Sequence, residues 1–267
     1  MIRAIFFDID GTLLSHKLGR VQQSSKQAII QLREKGIRVF MATGRHILEI
    51  EELPLDEIET DGYVTLNGQL CLGEGREVFY ELPVDDEDVQ TIITIFNEKK
   101  IPVQVIEKDR MYMNIINEKV RKVQEEICSE VSPPGEYKGD KIYQFVIYVD
   151  DKETEQIVRS LSGSKMSRWN RHAIDIIPKK GGKVEGIKQI LKLYDIAPDE
   201  IMAFGDGEND IDMLRFAGIG IAMGNAEEKV KCHADYVTDT VEGDGIIKAL
   251  RHYSILDAPV CLTVSEV

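Results

Sequence analysis

The chain has 267 residues, of which 43% are hydrophobic and 30% charged, and its formal net charge is −14. That length buries a substantial core in one large or two modest domains, and the acidic surplus argues against nucleic acid, whose phosphates need a basic surface. No apolar stretch reaches bilayer-spanning length, and Met1-Ile2-Arg3 leads straight into an apolar run rather than a signal peptide, so a cytoplasmic protein with no membrane partner is expected.

Ile2, Ala4, Ile5, Phe6 and Phe7 read as a buried strand that ends abruptly in two carboxylates, Asp8 and Asp10, before Gly11 and Thr12 turn the chain. Ser24 is expected to cap a helix running through Leu32 and stopping at Gly36. Residues 37–41 form a second strand ending in Ala42-Thr43-Gly44-Arg45, and residues 62–66 form a third before Asn67-Gly68. Strand and helix alternate here as in a parallel sheet with crossover helices.

The pattern changes near Leu82-Pro83. A helix over 86–99, short strands at 103–106 and 111–115, and a helix over 118–130 are followed by the loop Ser132-Pro133-Pro134-Gly135. A β-prone run spans 141–149, a helix starts at Asp150-Asp151, and two more short strands lie near 164–169 and 172–177. From Pro178 the first pattern resumes. Val184, Ile187, Leu191 and Tyr194 mark one helix face, and strands fall at 201–204, 218–223 and 235–237. The expected fold is α/β: a Rossmann-like parallel-sheet core, residues 1–82 and 179–267, interrupted by an α+β unit at 83–178. Residues 254–267 show no pattern. Cys71, Cys128, Cys232 and Cys261 lack metal-site spacing and read as reduced packing residues.

Polar signals gather where core strands end: Asp8 and Asp10, Thr43, Asp206 and Asp210, with Lys183 just ahead of a helix. In open α/β sheets that rim is where ligands bind. Each residue alone reads as a turn, a cap or a solvated lysine. Together they supply an acid cluster, a hydroxyl and an ammonium group. Two carboxylates so close repel unless a cation or a shared proton intervenes, so the pair implies a metal, a proton, or both.

Asp8-Ile9-Asp10-Gly11-Thr12, Ala42-Thr43-Gly44-Arg45, Lys183 and Gly205-Asp206-Gly207-Glu208-Asn209-Asp210 resemble, in order, the four motifs of the haloacid dehalogenase superfamily of phosphohydrolases. The insertion at 83–178 resembles the α/β (type IIB) cap of its Cof-type branch. This resemblance implies a phosphatase acting on small phosphorylated metabolites, sugar phosphates or similar monoesters, through an aspartyl-phosphate. It implies Asp8 as nucleophile, Asp10 as general acid and base, and Thr43 and Lys183 holding the phosphoryl oxygens. Gly44, Arg45, Asn67 and Asn209 are implied near the phosphate. Mg²⁺ is the implied ion, held by the Asp8 carboxylate, the Asp10 backbone carbonyl and Asp206, with Asp210 acting through water.

Asn67-Gly68 reads equally as a hairpin turn, and Gln69 departs from the small residue the branch has there. In the inserted unit, Trp169 is expected to fill the core, His172 to sit in a turn, and Asp175 to face the site; Tyr112 and Tyr143 read as an ordinary sheet face. The competing readings are a phosphomutase, which shares the aspartyl-phosphate, and a non-catalytic metabolite sensor. A true dehalogenase has no leaving oxygen to protonate and no use for Asp10. A monomer or weak homodimer is expected.

Overall fold

Strand β1 (Ala4–Phe7) is wholly buried, and its side chains alternate between two apolar layers. Ile5 and Phe7 join one cluster with Met41, Met202 and Phe204, while Ala4 and Phe6 join another with Phe40, Ile187 and Leu214. A strand covered on both faces needs apolar residues at every position, which is why this segment is a continuous hydrophobic run. The computed structural model describes residues 1–55, 58–127 and 129–257, with backbone alone for 151–153.

After β1 come a small hairpin, β2 (Leu14–Ser15) and β3 (Arg20–Val21), then α1 (Gln23–Glu34), β4 (Arg38–Ala42), α2 (Ile47–Glu51), β5 (Gly62–Thr65), β6 (Leu70–Gly73) and β7 (Val78–Glu81). The middle of the chain gives α3 (Asp86–Glu98), β8 (Val103–Glu107), β9 (Met111–Met113), α4 (Glu118–Glu126), β10 (Ile142–Ile147), α5 (Asp151–Arg159), β11 (Ser164–Asn170) and β12 (Ala173–Pro178). The last part gives α6 (Lys183–Tyr194), β13 (Ile201–Gly205), α7 (Ile211–Phe216), β14 (Ile219–Ala222), α8 (Glu228–Lys231), β15 (Tyr236–Val237) and α9 (Gly245–His252).

These strands form an eight-stranded sheet in the order β15-β14-β13-β1-β4-β5-β6-β7. It is parallel from β15 to β5, and β6 and β7 close one edge antiparallel. The register matters for function. Phe7 lies opposite both Phe204 and Met41, so β1, β4 and β13 end level and their following residues share one rim. The backbone continues that alignment: Asp8 N donates to Phe204 O at 3.0 Å and Thr43 N to Val64 O at 2.8 Å.

The second sheet, β11-β12-β10-β8-β9, is wholly antiparallel. One face, carrying Val105, Phe145, Ile147, Ile174 and Ile176, packs with Ile92 and Phe96 of α3. The strand period of two then sends Gln104, Ile106, Gln144, Val146 and Asp175 to the opposite face, where they line a cavity above the rim of the larger sheet.

Several expectations need correction. Helix α1 begins at Gln23 with Gln22 as its cap residue, whose side chain donates to Glu242 O rather than to the helix, and the Ser24 hydroxyl donates to Asp244. The helix expected over 118–130 ends at Glu126, and Cys128 lies outside the described residues. Strands β2, β3, β6 and β7 were not anticipated; β2 and β3 are two residues each, too short for any periodicity. The turn Leu66–Gly68 is indeed a hairpin connection between β5 and β6. Of the unpatterned tail, Leu256 is buried against the core, and residues 258–267 lie outside those described.

Gly68 sets the approach of α6. Its φ is +93°, and a Cβ there would lie 2.2 Å from Gly182 O, directly before Lys183. Gly68→Ala is therefore expected to cost more than about 1 kcal/mol of stability, measured by urea unfolding, and to lower activity by displacing the start of α6.

Candidate active site

Three separate segments meet at the rim. Asp8 follows β1, Asp206 and Asp210 follow β13, and Lys183 opens α6. Lys183 Nζ donates to Asp8 Oδ1 at 2.7 Å and to Asp210 Oδ1 at 2.6 Å, with the lysine and Asp210 side chains each 1% exposed. Asp210 Oδ2 accepts from Asp206 N at 3.1 Å and Gly207 N at 2.9 Å, so one carboxylate both anchors the lysine and folds its own loop. The next turn of the network runs through Asn225, whose Nδ2 donates to Asp206 Oδ2 and to Gly11 O, both at 2.9 Å. Gly11 has φ +79°, and a Cβ there would lie 2.1 Å from Asp206 Oδ2; any side chain would push the two acidic loops apart.

Asp8, Asp206 and Asp210 each offer an oxygen within 4.8 Å of the others. Burial, then the charge of Asp210, raises the Asp8 pKa well above the usual carboxylate value despite Lys183. Burial and Asp210 likewise push Asp206 up to about 7. For Lys183, burial favours the neutral amine, but Asp210 and Asp8 outweigh it and keep the ammonium charged. One lysine thus faces three crowded acids. The surplus negative charge and the oxygen-only donor set fit a hard divalent ion such as Mg²⁺. Asp210 has both oxygens occupied within the protein, which suits a role at one remove from the ion.

The Asp10 carboxylate is turned away from this cluster. Arg45 grips it with two bonds, Nε to Oδ2 at 2.6 Å and Nη2 to Oδ1 at 2.8 Å, and His16 Nε2 reaches Oδ1 at 3.1 Å. Burial alone would raise Asp10, but the bonds from His16 and Arg45 prevail and hold it well below the ordinary carboxylate range. The Arg45 side chain is itself largely covered, at 10% exposed. Thr43 lies beside them, buried, its Oγ1 accepting from Arg45 N at 3.1 Å. Gly44 and Asn67 line the same cavity, and Asn209 Nδ2 donates to Asn67 Oδ1 at 3.1 Å.

The cavity holds about 450 Å³ between the rim and the second sheet. Trp169, expected in a core, instead is 39% exposed and lines it, with Nε1 donating to Asp175 Oδ1 at 2.7 Å. An indole N–H needs a partner when covered, and here a carboxylate on the adjacent strand provides it. Asp175 faces the cavity as expected, and burial pushes it up to about 7 against the bonds from Trp169 and Asn67. His172 sits in the turn between β11 and β12 and pairs with Asp150. Tyr112 and Tyr143 are buried and donate to Glu107 and Glu81. Gln69 is buried with both amide atoms unpaired among the described residues.

Sequence reasoning missed His16, Asn225 and the glutamines Gln104, Gln124 and Gln144. Asn225 had a usable signal, a polar residue just past a core strand. His16 and the glutamines had none, because only folding brings the β2–β3 hairpin, helix α4 and the second sheet over the rim.

The profile of haloacid dehalogenase-like hydrolases matches residues 5–250. The chain is 31% identical over 259 residues to the putative phosphatase YkrA of Bacillus subtilis, covering 95% of this chain and 98% of that one. It is 27% identical to the B. subtilis 5-amino-6-(5-phospho-D-ribitylamino)uracil phosphatase YcsE, covering 94% and 96%. Among solved structures, the HAD subclass IIB sugar phosphatase BT4131 is 35% identical with a TM-score of 0.86, covering 95% and 100%. BT1666 of Bacteroides thetaiotaomicron is 32% identical with a TM-score of 0.88, covering 96% of each chain. A mostly parallel sheet with an acid cluster at its rim is an α/β enzyme architecture, and this chain belongs to the haloacid dehalogenase-like hydrolases, in their Cof-type branch. It is a phosphoric monoester hydrolase.

Two outcomes follow from the charge arrangement. Asp206 rises from 3.8 to about 7 on folding, so metal-free stability is greatest below the unfolded value and is lost as pH rises through about 7. Mg²⁺ should accordingly raise the melting temperature more at about pH 8 than at about pH 5. Lys183→Met strands buried anions and should cost about 3–5 kcal/mol at about pH 8, less at about pH 5 where Asp206 is protonated and the cluster carries less charge, by urea unfolding in chelator.

Proposed function

We propose that this enzyme is a Mg²⁺-dependent phosphatase of small phosphorylated metabolites, working through an aspartyl-phosphate on Asp8. The reading rests above all on Lys183 donating to Asp8 and Asp210 within a three-carboxylate cluster. Lys183 opposes the burial and the Asp210 charge that favour the protonated acid, and a bound cation would complete the ionisation that a carboxylate nucleophile needs. Residues 83–178 act as a cap whose second sheet roofs the cavity.

Asp8 attacks phosphorus as the ester P–O bond breaks, and Asp10 gives its proton to the departing alcohol oxygen. Water then attacks the phosphoryl group, the Asp8–phosphorus bond breaks, and Asp10 takes the water's proton. Asp10 begins this cycle ionised, held by Arg45 and His16. A phosphoryl dianion competes for Arg45, and losing that partner lets Asp10 bind the proton it must later donate. Lys183, Thr43 and the Gly44 backbone hold the phosphoryl oxygens, where charge spreads in the transition state. Asp8, the Asp10 carbonyl and Asp206 would hold Mg²⁺, with Asp210 at one remove, and the ion would neutralise charge on the phosphoryl group.

The cap side carries the amides of Gln104, Gln124 and Gln144, aliphatic side chains, the Trp169 edge and two charged groups: Asp175, and Arg168, whose guanidinium is engaged by Asn170 O, Arg171 O and Thr154 Oγ1. An uncharged hydroxylated leaving group, such as a sugar or polyol, suits that lining better than a second phosphate. The named activities of YcsE and BT4131 agree with such alcohols.

Asp8→Asn is expected to abolish phosphate release from an aryl phosphate and from sugar phosphates while the fold survives, checked by circular dichroism. Mass spectrometry of acid-quenched wild type should find phosphate on the peptide containing Asp8. Appreciable turnover in the variant would exclude Asp8 as nucleophile.

A further inference from the structure

Asn67 stands where three segments distant in sequence meet. Its backbone is left-handed at φ 54° and ψ 34°, directly after Leu66 at φ 51°. Two successive non-glycine residues in that region are strained, and the strain persists only because the surroundings impose it. Leu66 N donates to Arg45 O at 3.1 Å and Asn67 N to Thr43 O at 3.0 Å, tying the turn to the phosphate loop. Gly44 lies against the carboxamide: a Cβ at Gly44 would sit 3.2 Å from both its nitrogen and its oxygen.

The two ends of that carboxamide serve different parts of the molecule. Nδ2 donates to Asp175 Oδ2 on the cap at 3.1 Å, with Gln144 Oε1 farther off at 3.4 Å. Oδ1 accepts from Asn209 Nδ2, between Asp206 and Asp210. While Asp175 is ionised it only accepts, so the amide nitrogen faces it and the amide oxygen faces the Asn209 N–H. A planar amide cannot turn toward one partner without moving from the other. Asp175 in turn accepts from Trp169.

We propose that Asn67 is a positioning residue that couples seating of the cap to the order of the acid loop. With the cap down, Asp175 fixes the plane of the Asn67 amide, Asn67 fixes Asn209, and the loop from Asp206 to Asp210 holds the form that receives a cation. With the cap raised, Asp175 leaves, the amide is free to rotate, and the loop loses one of its restraints. The inference rests on the phosphatase reading for the cation and goes beyond it in linking cap and loop through one side chain.

The test is Mg²⁺ binding without substrate, followed by calorimetry and by emission of Trp169, the single tryptophan of the chain. Among the described residues Asp175 makes its side-chain hydrogen bonds to Asn67 and Trp169 and none to the acid loop, so a merely local role predicts unchanged Mg²⁺ affinity in Asp175→Ala. Coupling predicts that Asp175→Ala and Asn67→Ala each weaken Mg²⁺ binding about five- to tenfold, and that the double variant is no weaker than the worse single one. Mg²⁺ should alter Trp169 emission in wild type and leave it unaltered in Asn67→Ala. Should Asn67→Ala fail to fold, Asp175→Ala and Trp169→Phe carry the test, the latter with a smaller loss. Wild-type affinity in Asp175→Ala, in an enzyme that hydrolyses an aryl phosphate with Mg²⁺, overturns the coupling alone. A wild type that binds no Mg²⁺ overturns both the coupling and the metal-dependent reading.

Discussion

The rest of the site is arranged around one buried ammonium group. Lys183 is almost wholly covered, and its charge survives because Asp8 and Asp210 lie within hydrogen-bond reach. Isolated buried charges are costly, so none of these three groups is tolerable without the others. The constraint reaches into the fold. Helix α6 must begin where the strand rim ends, and the close passage of Gly182 past Gly68 permits it. The loop after β13 must bend back so that Asp210 meets the lysine while its other oxygen takes two backbone N–H groups.

The level ends of β1, β4 and β13 turn that local demand into a site. Because Phe7 is in register with both Met41 and Phe204, Asp8, Thr43 and Asp206 emerge side by side with no long loops to order. Sites built on strand ends hold their geometry better than sites built on loops. What remains adjustable is the Arg45–Asp10 pair, whose one bidentate pair of bonds is of the kind a phosphoryl group can replace.

Much of this was legible before folding. Asp8, Asp10, Thr43, Lys183, Asp206 and Asp210 could be read because each follows or precedes a strongly apolar run, and a buried parallel strand announces its own end. Asn67 was ambiguous for a good reason, since the same residue is both a hairpin turn and a site neighbour. Trp169 was misread because indole size favours a core position, and nothing local reveals that Asp175, six residues on, offers a carboxylate to its N–H. The roof glutamines were invisible. Their meaning depends on which face of the second sheet turns toward the rim, a long-range outcome that strand periodicity alone does not fix. Arg45 was visible as a rim residue, but its grip on Asp10 joins residues 35 positions apart and left no local trace.

The chain leaves the larger sheet and returns to it beside the same residue: Leu82 N donates to Gln69 O at 2.8 Å, and a Cβ at Gly181 would lie 3.2 Å from Gln69 Oε1. Departure and return are therefore adjacent strands of tether, and the segment between them is topologically a graft on a hairpin edge. Such a graft can be lengthened, shortened or replaced over evolution without moving any strand of the platform beneath it. Descendants of one catalytic platform can in this way diversify their diets while inheriting the same hydrolytic machinery.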